Sequence, residues 1–200
     1  MTTNAEKIQE WRTANPHAVL TEQVLKQVLD LPTLGGADLY GADLYGANLY
    51  GADLCGAYLY GAYLYGADLC GANLYNTDLR NANLCWANLC GARMHRANLE
   101  KACIPGMLYV TGLHPYPAFL TPTPHGWTLT IGCWTGTIPE LRTLIAGDDW
   151  PEAEGDEITR RRPLLEALAD MCEKHAAAHS NIIHELARKW NTKEPTNAQA

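Results

Sequence analysis

The chain has 200 residues, 47% of them hydrophobic, so it can bury a core. Its net charge of −7 argues against nonspecific nucleic-acid binding, which needs Lys and Arg to neutralise phosphates. It has neither a basic start followed by an apolar run nor an apolar stretch of eighteen residues, so neither a signal peptide nor a membrane span is expected.

Residues 3–14 read as a short amphipathic helix anchored by Ile8 and Trp11 and broken by Asn15-Pro16. Thr21 suits the N-cap of a second helix over 22–31, with Val24, Leu25, Val28 and Leu29 on one face and Pro32 as its stop. Residues 1–34 are expected to form a helical cap over the open first coil of a repeat domain, since an open coil exposes unpaired backbone and apolar side chains.

From Ala37 to Gly106 the chain repeats every five residues. Leu recurs at 39, 44, 49, 54, 59, 64, 69, 74, 79, 84, 89 and 99, and Met94 and Ile104 complete fourteen units. Two residues before each stands Ala, except at Thr77; the residue between is mostly Asp or Asn, and the residue two after is mostly Gly. A helix repeats at 3.6 residues and a strand at 2, so a strict five calls for a solenoid with Ala and Leu inside. The pattern resembles the pentapeptide-repeat family, A-(D/N)-L-x-x. The resemblance implies a right-handed quadrilateral parallel β-helix of four units per coil, hence about 3.5 coils, roughly 17 Å tall at the usual strand spacing. The expected fold class is therefore mainly β: this β-helix over 35–106, with an N-terminal helical cap and a C-terminal β-hairpin plus helices.

Coils twenty residues long sort the outward side chains into columns. The residue after each Leu gives Tyr40, Tyr60, Arg80 and Glu100; then Tyr45, Tyr65 and Cys85; then Tyr50, Cys70 and Cys90; then Cys55, Tyr75 and His95. Stacked Tyr favour one another, and Arg80 is placed to meet both Tyr60 and Glu100. The columns are either a self-stabilising ladder or a binding face, with Tyr40, Tyr60, Arg80, Tyr45 and Tyr65 as its candidate contacts. Seven Cys, odd in number and without CxxC pairs, suit a reducing cytoplasm. Cys70 and Cys90 are expected as free thiols, and no metal site is expected among them.

After Pro105-Gly106, Leu108–Thr111 and Trp127–Ile131 read as the two strands of a hairpin within an extension over 107–136; His114–Pro117 reads as a stiff turn and Thr121–Gly126 as a loop. Thr137 and Glu140 make a capping box for a helix to about Ala146, opening a helical module over 137–190. The acidic run at 152–157 beside Arg160-Arg161-Arg162 reads as a surface ion-pair network. The last helix is expected over 164–190. Leu165, Ala169, Cys172, Ala176, His179, Ile183, Leu186 and Trp190 alternate steps of four and three, a heptad seam for packing on the solenoid or on a second copy. Cys172, His175 and His179 share one face, which more simply packs than holds a metal. Residues 191–200 are expected as a disordered tail.

No GxSxG, HExxH, P-loop or strand-linked GxGxxG occurs, so an enzyme and a cofactor are not expected. The expected function is a non-catalytic scaffold presenting a rigid β-helix to a protein partner, with a homodimer through the last helix as a further expectation. Ile131–Trp134 and Asp149–Pro151 loosely resemble small bacteriophage accessory proteins, which implies a phage factor acting on a host component. An alternative makes the C-terminal module a small-ligand or catalytic domain with a pocket of His125, Cys133, Trp134 and Trp150. Another comes from family members that mimic duplex DNA and occupy type II topoisomerases. Those are long, acidic, Phe-bearing rods; this chain is short, its one Phe is Phe119 outside the repeats, and residues 37–106 carry a net charge of only −2.

Overall fold

Every fifth residue of the repeat meets the chain again twenty residues later. In the computed structural model, which describes residues 2–110, 118–131, 134–147 and 156–191, Asp38 bridges in parallel to Tyr58, Asp43 to Tyr63, Asn48 to Asp68, and so on to Asn83 with Cys103. Four five-residue units therefore close one coil. The rungs are regular: the Leu39 N–H donates to the Tyr58 carbonyl at 2.8 Å, and the Tyr58 N–H to the Ala37 carbonyl at 2.9 Å. Ala and Leu point inward; Ala42 to Ala72 and Leu39 to Leu74 are solvent-inaccessible at every unit. The chain divides into two compact units, Met1–Pro105 and Gly106–Ala200.

Each five-residue unit turns its corner the same way. The Ala N–H bonds the preceding Leu carbonyl, as in Ala42 to Leu39 at 3.1 Å. The residue before the Ala lies in the left-handed region, with φ 61° at Gly41. Glycine enters that region without a Cβ penalty. In the later coils Asn76, Asn81, Trp86, Arg96 and Lys101 adopt it instead, at φ 55–62°. Where an Asp or Asn stands ahead of the Leu, it closes a local turn: the Asp38 carboxylate accepts from the Tyr40 N–H at 3.1 Å, and Asn83 accepts from the Cys85 N–H at 3.0 Å. Thr77, which breaks the Ala rule, is buried, and its hydroxyl donates to the Leu54 carbonyl at 2.8 Å.

The solenoid starts one unit earlier than the Ala-Leu pattern indicates. Leu34 is solvent-inaccessible, five residues before Leu39, although Pro32 stands where Ala would be. Ahead of it, α1 spans Asn4–Ala14 and α2 spans Glu22–Leu29. A Thr3–Glu6 capping box opens α1, which buries Ile8 and leaves Trp11 half-buried. Thr21 caps α2, which ends at Asp30 in the left-handed conformation. Between the helices, the Leu20 carbonyl accepts from the Asn48 N–H at 2.8 Å and adds one rung. Other first-coil carbonyls, whose counterparts in later coils accept from backbone N–H groups, are met by side chains of α1. Asn4 Nδ2 donates to the Asp38 carbonyl, Arg12 Nε to Asp43 and Arg12 Nη2 to Tyr45, each at 2.7 Å.

The second compact unit is a four-stranded antiparallel sheet, β1 (Leu108–Val110), β2 (Ala118–Thr123), β3 (Gly126–Ile131) and β4 (Trp134–Gly136), paired in that order, with three helices. The expected two-stranded hairpin is corrected. The expected loop over 121–126 is largely strand, and only Pro124 and His125 turn. Pro122 is tolerated in β2 because it pairs with Trp127 of β3, beyond the last rung with β1, Leu108 with Leu120. Helix α3 (Ile138–Ala146) begins with the expected Thr137–Glu140 capping box. The single helix expected over 164–190 is two, α4 (Asp156–Ala178) and α5 (Ser180–Asn191), parted at His179. Helix α4 starts before Pro163 and carries it inside. Ala118, Leu120 and Leu129 of the sheet pack with Ile138, Leu141 and Ile145 of α3 and with Leu168, Ala169 and Cys172 of α4. Arg142 of α3 ion-pairs with Asp170 and Glu173 of α4. Arg162 caps α3 by donating to the carbonyls of Ile145 and Gly147, rather than serving only the expected charge network. The expected turn at 114–117, most of the acidic run and the tail from 192 lie outside the described residues.

Candidate interaction surface

The twenty-residue register sorts the outward side chains onto four faces. On the first, Tyr40 stacks on Tyr60 with ring centres 5.4 Å apart and planes within 3°. Arg80 lies over the other side of Tyr60, 5.4 Å from its centre. Its Nε and Nη2 donate to the two Asp78 carboxylate oxygens at 2.9 and 2.6 Å. The column rule names Glu100 as the ion partner; Asp78 takes that place because a planar guanidinium matches both carboxylate oxygens at once. The pair draws the Asp78 carboxyl below its ordinary range and holds the Arg80 guanidinium up, hydrogen bonding being the leading cause of both.

On the second face Tyr45 stacks with Tyr65 at 5.7 Å, and Tyr63 joins them at 6.1 Å from Tyr45 and 6.2 Å from Tyr65. Tyr63 and, on the first face, Tyr58 stand in the Asp/Asn position, which is why reading only the post-Leu columns misses them. The two faces together carry six Tyr, of which Tyr40, Tyr58, Tyr45 and Tyr63 are 63, 59, 53 and 41% exposed. The third face carries Tyr50, Asp68, Cys70 and Cys90. Burial, and next the neighbouring Cys90, push the Cys70 thiol up to about 11, so it stays protonated at neutral pH. On the fourth, Tyr75 meets His95 at 5.4 Å, and Arg96 lies 5.9 Å from the Tyr75 ring centre. Cys55, Cys70 and Cys90 are free thiols, whereas the sulfurs of Cys85 and Cys103 meet across adjacent coils, a contact that column-by-column reading does not give.

Of the expected pocket residues, His125 and Trp134 are described, and these two are not brought together. His125 is exposed in the β2–β3 turn, and half-buried Trp134 pairs with Ile131 at the far end of β3. Six residues at strand rise put them roughly 20 Å apart. Cys133 and Trp150 lie outside the described residues. Through α4 the heptad seam packs inside its own compact unit: Ala169 and Cys172 are buried in the core, and Leu165 and Ala176 pack against it. In α5 Leu186 is buried, while Ile183 and Trp190 are half-buried. His175 and His179 stack at 4.2 Å, and His175 Nε2 donates to the Gly106 carbonyl at 2.7 Å. Burial pushes the Cys172 thiol up to about 11. Among the described residues no three His, Cys, Asp or Glu side chains are grouped to hold a metal ion, and no helix is long and apolar enough to cross a membrane.

Residues 37–74 and 71–104 match the family model for pentapeptide repeats, in eight copies. No curated protein matches. Among solved structures, a pentapeptide-repeat protein of the Arabidopsis thaliana thylakoid lumen is 39% identical over 34% of this chain and 46% of that one, with a TM-score of 0.33. HetL of Nostoc sp. strain PCC 7120, involved in heterocyst differentiation regulation, is 43% identical over 36% of each chain, with a TM-score of 0.24. The chain thus spans less than half the length of either. A further pentapeptide-repeat protein of Nostoc PCC 7120 is 35% identical over 48% of this chain and 70% of that one, with a TM-score of 0.29. The chain belongs to the pentapeptide-repeat family.

Proposed function

We propose that this chain is a non-catalytic interaction protein that presents the tyrosine wall of its first two solenoid faces to a protein partner. One observation carries the reading. At Tyr58 and Tyr63, as also at Arg93 and Cys103, the chain abandons the Asp or Asn that closes the local turn in the other units, and here it places two neighbouring rings, 59 and 41% exposed, in its stead. Tyrosine has no acceptor close enough to make that turn bond, so the substitution gives up about 0.5–1.5 kcal/mol at each site. It adds nothing to the Ala and Leu interior. A local rule broken without gain to the core points to function. Tyr supplies large, stiff, amphipathic contact area at low entropic cost, which is why it is enriched in the centres of interfaces.

The test places a photo-crosslinking amino acid at position 40 on the wall, and separately at 73 on the fourth face, in the source cell. The expected result is a discrete protein adduct from 40 and none from 73. Tyr58→Asn with Tyr63→Asn restores the turn and should leave stability unchanged or raised while removing the adduct. Equal adducts from both positions, or an adduct that survives the double variant, would sink the reading. A double variant that loses stability would instead assign the rings to holding the wall.

A further inference from the structure

On the first face an arginine is held by two things: the Tyr60 ring one coil before it, and the Asp78 carboxylate two residues before it in its own coil. The third face repeats this arrangement with the arginine left out. Tyr50 occupies the position of Tyr60, Asp68 that of Asp78, and Cys70 that of Arg80. The backbone beneath is matched bond for bond. On the first face the Leu59 N–H meets the Asp78 carbonyl at 2.8 Å and the Gly61 N–H meets the Arg80 carbonyl at 2.9 Å; on the third, Leu49 meets Asp68 at 2.8 Å and Gly51 meets Cys70 at 2.9 Å. Both carboxylates accept the N–H of the residue two ahead at 3.1 Å.

The short Cys70 side chain cannot fill the space that the Arg80 side chain fills. Tyr50 is accordingly the most exposed of the described tyrosines, at 68%. Asp68 Oδ1 is engaged by the Cys70 N–H and by Asn88 Nδ2 at 3.1 Å, and among the described residues no cation pairs with its carboxylate. We propose that the Tyr50 ring and the Asp68 carboxylate form an open guanidinium slot that takes an arginine side chain of a protein partner. The chain's own Arg80 is the template for the occupant. A ring face attracts a cation, and a carboxylate beside it selects the planar, two-toothed guanidinium over the point charge of lysine. The proposal rests on the reading of the solenoid as a protein-contact surface, but it concerns a different face.

The test uses the full chain labelled with ¹³C in its tyrosine rings, the Tyr50 resonance being assigned by its loss in Tyr50→Phe. The probe is N-acetylarginine methylamide, with the lysine counterpart as control. The Tyr50 signal should move saturably with the arginine probe and less with lysine, while Tyr60, already under Arg80, should not move. Asp68→Asn keeps the turn bond through its amide oxygen and should weaken the response about fivefold, the upper end for an exposed ion pair. Cys70→Arg supplies the guanidinium from within and should abolish it. A Tyr50 signal that stays still, a shift shared equally by all exposed tyrosines, or a response that survives Cys70→Arg would overturn the slot. Because the probe is a small molecule read at Tyr50, a negative result here leaves the crosslinking result at position 40 standing, and the reverse also holds.

Discussion

The solenoid and the second compact unit are held together by opposite means. In residues 34–105 one instruction is issued every five residues, and each Leu sees the same neighbours as the last. In the second unit each contact occurs once. Arg162 finishes α3, Phe119 stacks on Tyr109 at 5.1 Å, and a Cβ on Gly136 would come within 2.7 Å of the Trp134 ring and 2.9 Å of the Glu140 carboxylate. A coil touches only its neighbours, so damage there stays local, whereas the sheet, α3 and α4 share a single core and fail together.

The comparison breaks most readily at buried leucines. Leu64→Ala and Leu141→Ala should each cost about 3 kcal/mol in chemical denaturation. Hydrogen exchange should separate them. Leu64→Ala speeds exchange only in its own coil and the coils beside it, while Leu141→Ala speeds it through 118–147 and 156–178 alike. Uniform exchange across the whole solenoid in Leu64→Ala would erase the distinction.

Arg12→Ala should cost about 2 kcal/mol, since it strips two first-coil carbonyls of their donors. The accelerated exchange should be confined to the first coil. Lys101→Gly should have a smaller effect of the other sign, a stabilisation of about 1 kcal/mol in the same denaturation experiment, because it relieves a left-handed Cβ residue at φ 59° whose side chain is exposed.

The smallest effect is on the second unit. Arg142, by hydrogen bonding first, draws the Asp170 and Glu173 carboxyls below their ordinary values of 3.8 and 4.5. Groups lowered in the folded state stabilise it fully above those values, and the contribution disappears as the pH falls through the lowered ones. The melting temperature of Arg142→Met should therefore lie slightly below the parent at pH 7 and converge on it in acid. A difference that persists in acid would mean the arginine acts by packing.

Legibility from sequence splits along the same line. The Leu register alone is enough for a solenoid with inward Ala and Leu, and the four-unit coil that the family resemblance implies then sorts the outward columns. Its blind spots are residues where chemistry overrides position: Leu34 behind Pro32, Tyr58 and Tyr63 in polar positions, and Arg80 choosing Asp78 by geometry over Glu100 by column. In the second unit no period exists. Pro122 falls in the expected loop and Pro163 just ahead of the expected last helix, yet one sits in a strand past the end of its neighbour and the other inside a helix, which only the tertiary arrangement decides. The heptad seam is real as a pattern but identifies a buried face without saying what buries it.

The bridging register also fixes the grain in which this chain can change length. Deleting or inserting one five-residue unit preserves the inward Leu and Ala, so the core would accept it. Beyond the edit, however, every outward residue would move to the adjoining face: Arg80 would leave Tyr60, and the Tyr45 cluster would be split. Only an edit of twenty residues keeps both interior and surface in phase. Five residues is thus the quantum of folding in this solenoid and twenty the quantum of recognition, and insertions that leave stability intact should divide into those that keep binding and those that lose it according to which number they obey.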